Sequence, residues 1–360
     1  MRVAIAHDYL TQRGGAERVV LSMLSAFPDA PLYTLLYEPA TTFPEFSTAE
    51  VRPSPLNRVA AFRRNHRLAL PVLAAAASRM RIEADVVVCS SSGWAHGVDV
   101  AGTKVVYCHA PARWLYQADS YLAGAGRSVR LAARALHDPL VRWDRRAVRT
   151  AARYVANSTH VARLVRELYG VDAEVLPPPP ALDPDGPRHA VPGLEPGFVL
   201  CVSRLLAYKN VDAVVDAFRL LPGERLVVVG DGPERDRLRM LAGGNVTFTG
   251  RVDDAALRWL YENAAAVTVA SFEDYGLTPL EAARFGKPTA ALRFGGLLDT
   301  VVDGETGLFF RAPRPEEVAT VVRTMLAERW DTTRLARHAA RFSHDRFVSR
   351  CREIVEAAAR

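Results

Sequence analysis

Lysine is nearly missing from this chain of 360 residues: only Lys104, Lys209 and Lys287 stand among its 46 basic residues. Codon bias accounts for an arginine- and alanine-rich composition, and it makes each remaining lysine a position where arginine would not serve. Cysteine is scarce as well. Cys89, Cys108, Cys201 and Cys351 lie far apart with no C-x-x-C spacing, which argues against a structural zinc site or a redox pair and fits a reducing compartment. Long apolar runs are absent: the longest candidate, Leu68 to Ala77, contains Pro71 and covers ten residues, whereas a bilayer span takes about 20. The opening run from Met1 to Ala6 passes at once into His7-Asp8, so no secretory signal is expected. No G-x-G-x-x-G fingerprint of a dinucleotide site occurs, and Asp183-x-Asp185 and Asp253-Asp254 read as turn residues or ligand contacts rather than a metal motif.

What is present describes a globular protein. With 49% hydrophobic and 24% charged residues, the length predicts two domains, each with its own core. The net charge of +6 is uneven: residues 1–184 hold 22 basic against 16 acidic groups, residues 185–342 hold 20 against 21, and residues 343–360 hold 4 against 3. Val51 to Ile82 carries seven arginines and no acid, and Arg127 to Arg153 carries eight against Asp138 and Asp144. Two readings fit: a solvated, codon-biased surface, or a face for anionic lipid or another polyanion.

Short β-branched runs alternate with longer helical patterns, the signature of parallel βαβ units. Strands are expected at Arg2–Ala6, Leu32–Leu36, Asp85–Cys89, Lys104–Cys108, Arg153–Ala156 and Ala173–Leu176. A second set is expected at Phe198–Val202, Arg225–Val229, Val246–Phe248, Ala266–Ala270, Pro288–Leu292 and Gly307–Phe310. The fold class is therefore α/β with two doubly wound, Rossmann-like domains, divided by the stiff segment Pro177 to Pro184. The expected domains are 1–184 and 185–342, with an amphipathic helix at 343–360.

Open α/β sheets bind ligands at the carboxyl ends of their strands, so the residues following each strand carry the functional reading. After the first strand, Gly14-Gly15 opens a helix. It is either a plain turn or a place where backbone amides approach a phosphate or sugar. After the fourth strand, His109 precedes Ala110-Pro111-Ala112-Arg113; it is either satisfied by loop backbone or free to bond a hydroxylated substrate. In the second half, Arg204 and Lys209 follow the first strand and either form a surface ion pair or converge on a diphosphate. The most specific segment runs from Glu273 through Gly276-Leu277-Thr278-Pro279 to Glu281. Thr278-Pro279-Leu280-Glu281 reads as a capping box with proline at the first helical position. Capping leaves Glu273 unexplained, and two carboxylates beside a helix start with free amides suit a sugar, a ribose diol and a phosphate.

These segments together with Gly230-Asp231-Gly232-Pro233-Glu234 and the E-x7-E pair Glu273 and Glu281 resemble the retaining glycosyltransferases of family 4, which have the GT-B fold. The resemblance covers nearly the whole chain. It implies two domains facing each other across a cleft, the first binding the acceptor, the second the nucleotide sugar, with the C-terminal helix crossing back to the first. It further implies Arg204 and Lys209 as diphosphate cations, Glu281 on the ribose and Glu273 on the transferred sugar. The amides of Gly276, Leu277 and Thr278 would face the distal phosphate, Gly14 and Gly15 would line the phosphates, and His109 would sit near the reacting centre. Gly250-Arg251-Val252-Asp253-Asp254 matches the base-binding loop, with Asp254 a partner for guanine; Leu257 replaces a lysine found there in some mannosyltransferases, leaving the base open. His7-Asp8-Tyr9-Leu10 and His109-Ala110-Pro111-Ala112-Arg113 are most similar to bacterial mannosyltransferases of surface-polysaccharide and lipid-linked pathways.

The resemblance thus implies a hexosyltransferase, with mannose from GDP-mannose favoured, acting on a lipid-linked or polysaccharide acceptor. It needs no metal or resident cofactor, and its expected location is cytoplasmic or peripheral at the inner face of the plasma membrane. The alternatives are a UDP-sugar donor, or a sugar-nucleotide epimerase or hydrolase on the same fold. A nucleic-acid-binding protein ranks last, because the arginine-rich segments carry few aromatics.

Overall fold

The computed structural model describes residues 1–117 and 127–360, with the side chains of Arg67 and residues 127–133 outside the description. The chain divides into two compact units, Met1–Pro178 with His344–Arg360, and Pro179–Ser343. The first unit contains β1 (Val3–His7), β2 (Leu32–Thr34), β3 (Val51–Pro53), β4 (Arg81–Ile82), β5 (Val86–Ser91), β6 (Asp99–Val100), β7 (Thr103–Cys108), β8 (Arg153–Ala156) and β9 (Ala173–Val175). Seven of these form one parallel sheet in the order β3-β2-β1-β5-β7-β8-β9, and β4 pairs with β6 apart from it. The seventh strand, β3, was not expected from the sequence. It is three residues long, lies at the edge and ends in Pro53, a place where a missing N–H costs no ladder bond.

The second unit contains β10 (Phe198–Val202), β11 (Leu226–Val229), β12 (Val246–Gly250), β13 (Ala264–Val269), β14 (Thr289–Leu292) and β15 (Gly307–Phe310), again all parallel, in the order β12-β11-β10-β13-β14-β15. Both sheets are Rossmann-like: strand order reverses beside the first strand, at β1/β5 and at β10/β13, and a crevice opens there at the carboxyl ends.

The period of two sorts the first sheet's side chains onto two cores. Ile5, Val86, Val88, Val105, Tyr107 and Val155 face one side; Ala4, Ala6, Val87, Cys89, Val106 and Ala156 face the other. The helix His344–Ala358 covers the first of these faces with Phe347, Cys351, Ile354 and Val355, alongside the helix Gly15–Ala26. Phe347 meets Tyr107 edge-on at 5.9 Å, and Arg352 Nε donates to the Ala26 carbonyl at 3.0 Å. At roughly 1.5–3 kcal/mol per buried large apolar side chain, this face is what ties the last helix to the first unit.

The boundary falls between Pro178 and Pro179, not after Pro184. Leu182 is buried in the second unit's core, Arg284 donates to its carbonyl at 2.9 Å, and Arg258 Nε donates to the Asp183 carbonyl at 2.6 Å. These bonds make the end of the polyproline segment part of the second unit rather than a free connector. All four cysteines are buried and none is in a disulfide, and burial pushes the Cys89, Cys201 and Cys351 thiols up to about 12. Among the described residues no helix is long and apolar enough to cross a membrane.

Candidate functional site

In the second unit Arg204 and Lys209 follow β10 and Glu273 follows β13, at the β10/β13 crevice. The chain leaving β10 is clamped by Gly230-Asp231-Gly232. Ser203 N donates to the Val229 carbonyl and Leu205 N to the Asp231 carbonyl, both at 3.0 Å. A Cβ on Gly230 would lie 1.9 Å from the Ser203 carbonyl oxygen, one on Gly232 would lie 2.3 Å from that of Leu205, and Gly230 has φ +129°. The two glycines are therefore required by the close approach of the two backbones, and the clamp presents Arg204 at an exposed position, where it donates to the Tyr208 hydroxyl at 3.2 Å.

A short turn, Ala207–Lys209, follows and ends at Asn210 in the left-handed region (φ 52°). Asn210 Nδ2 donates to the Ala270 carbonyl just past β13 at 2.9 Å, which draws Lys209 to the loop carrying Glu273. Lys209 Nζ donates to Glu273 Oε1 at 2.5 Å, and Ser271 Oγ donates to the same oxygen at 2.5 Å. Their side chains are 12% and 23% exposed. The pair is thus largely shielded, and Lys209 keeps two further N–H donors for a ligand.

The capping box expected at Thr278 does not form. The helix spans Thr278–Arg284 with Leu277 as its N-cap in the αR region, so Thr278 is the first helical residue and Pro279 the second. Glu281 Oε2 instead accepts from the Tyr261 hydroxyl at 2.9 Å. Burial, then the neighbouring Glu281 charge, pushes the Tyr261 phenol well above its ordinary value, so it remains a donor. Glu281 is thus tied to a tyrosine of a different helix. Gly276 has φ +91°, and a Cβ there would lie 2.7 Å from Leu297 Cδ2.

Asp254, expected to meet a base, sits exposed in the first turn of the helix Asp254–Asn263. Asp253 is the N-cap: it accepts from Ala256 N at 2.8 Å and from His189 at 3.0 Å, and these bonds hold its carboxyl below the usual range.

Gly295 and Gly296, not singled out in the sequence, belong to this crevice. Gly296 N donates to the Glu273 carbonyl at 3.0 Å, and a Cβ there would lie 2.2 Å from Tyr275 Cα. Their signal in the sequence is a paired glycine in the loop after a strand, as at Gly14-Gly15.

In the first unit Gly14 is the N-cap of the helix Gly15–Ala26, with Gly15 its first residue; a Cβ on Gly14 would lie 2.6 Å from Glu17 Oε2. His109 follows β7, is 8% exposed, and its backbone carbonyl accepts from Asn157 Nδ2 at 2.9 Å. Its Nε2 lies 2.7 Å from Ser90 Oγ. Burial, then the neighbouring His7, pulls its pKa down to about 3, so the imidazole is neutral at physiological pH. Asp8, the other polar residue after β1, is a loop clamp: it accepts from the amides of Ser92, Trp94 and Ala95 at 2.6, 3.1 and 2.6 Å.

The family descriptions Glycosyltransferase Family 4 and Glycosyl transferases group 1 match residues 13–183 and 189–342, which together take in most of both units. The chain belongs to glycosyltransferase family 4. This family 4 chain is 38% identical over 180 residues to a glycogen synthase of Thermus thermophilus, an alignment covering 44% of this chain and 41% of the relative. It is 33% identical over 231 residues to a D-inositol 3-phosphate glycosyltransferase of Nocardia farcinica, covering 56% and 51%. To a GDP-mannose-dependent alpha-(1-6)-phosphatidylinositol monomannoside mannosyltransferase of Mycobacterium tuberculosis it is 32% identical over 177 residues, covering 44% and 46%. The chain spans about half the length of these curated relatives. Among solved structures, Anabaena HepE in complex with UDP-glucose matches with a TM-score of 0.72 at 18% identity, covering 99% of this chain and 100% of that one. Sucrose-phosphate synthase from Thermosynechococcus elongatus matches with a TM-score of 0.67 at 19% identity, covering 100% and 96%. The fold is GT-B.

Proposed function

We propose that the protein is a retaining hexosyltransferase that uses a sugar nucleotide, with GDP-mannose the favoured donor, and that the β10/β13 crevice holds that donor. The observation that carries this reading is the cluster of Lys209, Glu273 and Ser271 beside exposed Arg204 and the Gly276–Thr278 amides, all at the carboxyl edge of one parallel sheet. Expelling a nucleoside diphosphate requires charge stabilisation on the leaving group, and two cations with oriented amides supply it. Glu281, fixed by Tyr261, offers acceptor oxygens to the ribose diol, and Glu273 offers them to the transferred sugar. Asp254 takes the base. In the first unit Gly14 and Gly15 supply phosphate-facing backbone, and neutral His109 supplies a hydrogen bond to the sugar. The departing phosphate oxygen accepts the acceptor's proton on the same face, giving retention without a protein nucleophile.

The test is thermal stabilisation and transfer across GDP-, UDP- and ADP-sugars with a membrane extract as acceptor source. A ligand at 100 times its Kd adds about 2.7 kcal/mol. Stabilisation by UDP- or ADP-sugars alone would overturn the GDP-mannose assignment, and donor turnover without acceptor would indicate the epimerase or hydrolase.

A lipid-linked acceptor has its own support. Val59, Leu68 and Val72 are 42%, 56% and 38% exposed within the acid-free stretch, beside exposed Arg58, Arg64 and Arg79, a combination that suits peripheral docking on anionic lipid. Arg63 is a poorer reporter, being paired with Glu38 at 3.1 Å, and the Arg67 side chain lies outside the described residues, as do those of Arg127 and Arg130. Reversing Arg58, Arg64 and Arg79 to glutamate should abolish salt-sensitive binding to phosphatidylglycerol vesicles; unchanged binding would remove this surface from consideration.

A further inference from the structure

Behind His109 lies a buried polar chain that glycosyl transfer by itself does not explain. His7 is 3% exposed, Ser90 0% and Glu17 1%. His7 Nδ1 lies 3.1 Å from the Ser90 carbonyl oxygen and 3.0 Å from Ser90 Oγ, while Ser90 Oγ lies 2.7 Å from His109 Nε2. The proton positions follow from the partners. A carbonyl oxygen can only accept, so His7 Nδ1 carries a proton and donates toward Ser90. The Ser90 hydroxyl then has His109 Nε2 as the acceptor for its own proton, and an accepting Nε2 leaves the neutral His109 ring with its proton on Nδ1. That nitrogen makes no hydrogen bond to a described residue.

We propose that Ser90, backed by His7, is a positioning residue that holds His109 in the neutral Nδ1–H tautomer, so that His109 meets its ligand as a hydrogen-bond donor and not as a base. The ligand contact rests on the His109 assignment made above; the tautomer does not. Electrostatics from each packed element act in the same direction. Burial lowers the His7 pKa, but Glu17 on the helix Gly15–Ala26, Asp8 on the following loop and the Ser90 carbonyl outweigh it, and the net shift is upward. A positively inclined His7, its ring centroid 6.3 Å from that of His109, in turn opposes protonation of His109. Gly14 completes the chain, since a side chain there would collide with the buried Glu17 Oε2.

The direct test is long-range ¹H–¹⁵N spectroscopy of the full chain with ¹⁵N-labelled histidine, His109 being assigned from a His109→Gln sample. The expected pattern is a neutral ring protonated on Nδ1 at both pH 7.5 and pH 5.5. Protonation on Nε2, or titration between those values, would overturn the proposal, and this readout depends neither on a variant's folding nor on activity. Ser90→Ala should raise the Nε2–H population and lower kcat by about 10- to 100-fold with donor KM held within about twofold, and Ser90→Thr should restore both. A tautomer unchanged in Ser90→Ala would equally refute the relay. Absence of transfer by wild-type protein with every donor would sink the glycosyltransferase reading while leaving the tautomer result standing.

Discussion

Replacing Lys209 by methionine removes the cation and keeps most of the side-chain volume. Losing one partner of a fully buried ion pair costs about 3–5 kcal/mol, whereas exposed pairs contribute about 0–1. With side chains 12% and 23% exposed and a 2.5 Å contact, Lys209→Met should cost about 2 kcal/mol, because Glu273 keeps Ser271 but loses its counter-charge. For a unit the size of Pro179–Ser343, each kcal/mol moves Tm by about 2–4 °C, so a drop of about 4–8 °C is expected. The companion Lys209→Met/Glu273→Gln removes the stranded charge and should regain most of that loss, a coupling of about 1–2 kcal/mol. Function should not return with stability. A charged hydrogen bond contributes about 1.5–3 kcal/mol, so both variants should bind the donor about 10- to 100-fold more weakly. Differential scanning calorimetry with donor titration measures all of these. A single variant as stable and as donor-competent as wild type would refute the reasoning, and so would a double variant no more stable than the single.

Three other perturbations address separate parts of the structure. Gly230→Ala places a methyl 1.9 Å from the Ser203 carbonyl oxygen at φ +129°; it should cost roughly 3 kcal/mol or more and displace Arg204, and a denaturant midpoint within error of wild type would show that no such clash exists. Tyr261→Phe removes only the hydroxyl donated to Glu281; about 1 kcal/mol of stability and severalfold in donor affinity should go, and an unchanged donor Kd would separate Glu281 from the ribose. His109, with its pKa lowered to about 3, stays neutral in the fold while the unfolded chain takes up a proton below the ordinary 6.5. Its contribution is therefore present above pH 6.5 and lost as pH falls toward 3, about 2 kcal/mol by pH 5. His7 has the opposite sign, contributing below 6.5 and losing that contribution as pH rises through its raised value. His109→Gln should thus lose less stability than wild type between pH 6.5 and 5; parallel urea-derived profiles would contradict the assigned shift.

The architecture was legible because its signals are local. Phe198–Val202 and Gly307–Phe310 are strands by β-branched and aromatic composition alone and were found with their observed bounds. Val51–Pro53 escaped because three residues ending in proline carry almost no strand signal. The capping motif at Thr278 fails for a related reason: the residues fit it locally, but the fold makes Thr278 already helical, with Leu277 as the N-cap, and brings a buried tyrosine of another helix to Glu281. Likewise, Pro179–Pro184 looks like a linker by composition, and only Leu182 and the arginines bonding its neighbours assign it to the second unit.

By itself the sequence determined the α/β class, the duplication of the Rossmann-like pattern and most of the residues that follow the strands, since periodicity and turn chemistry act over a few positions. The partners of those residues were decided only in three dimensions. Lys209 and Glu273 are 64 positions apart, Tyr261 and Glu281 are 20 apart, and His7 and Ser90 are 83 apart. Such pairs meet because strand order reverses at β1/β5 and β10/β13, and that order depends on how whole sheets bury their faces. The scarcity of lysine pointed to Lys209; the tertiary structure showed what holds it.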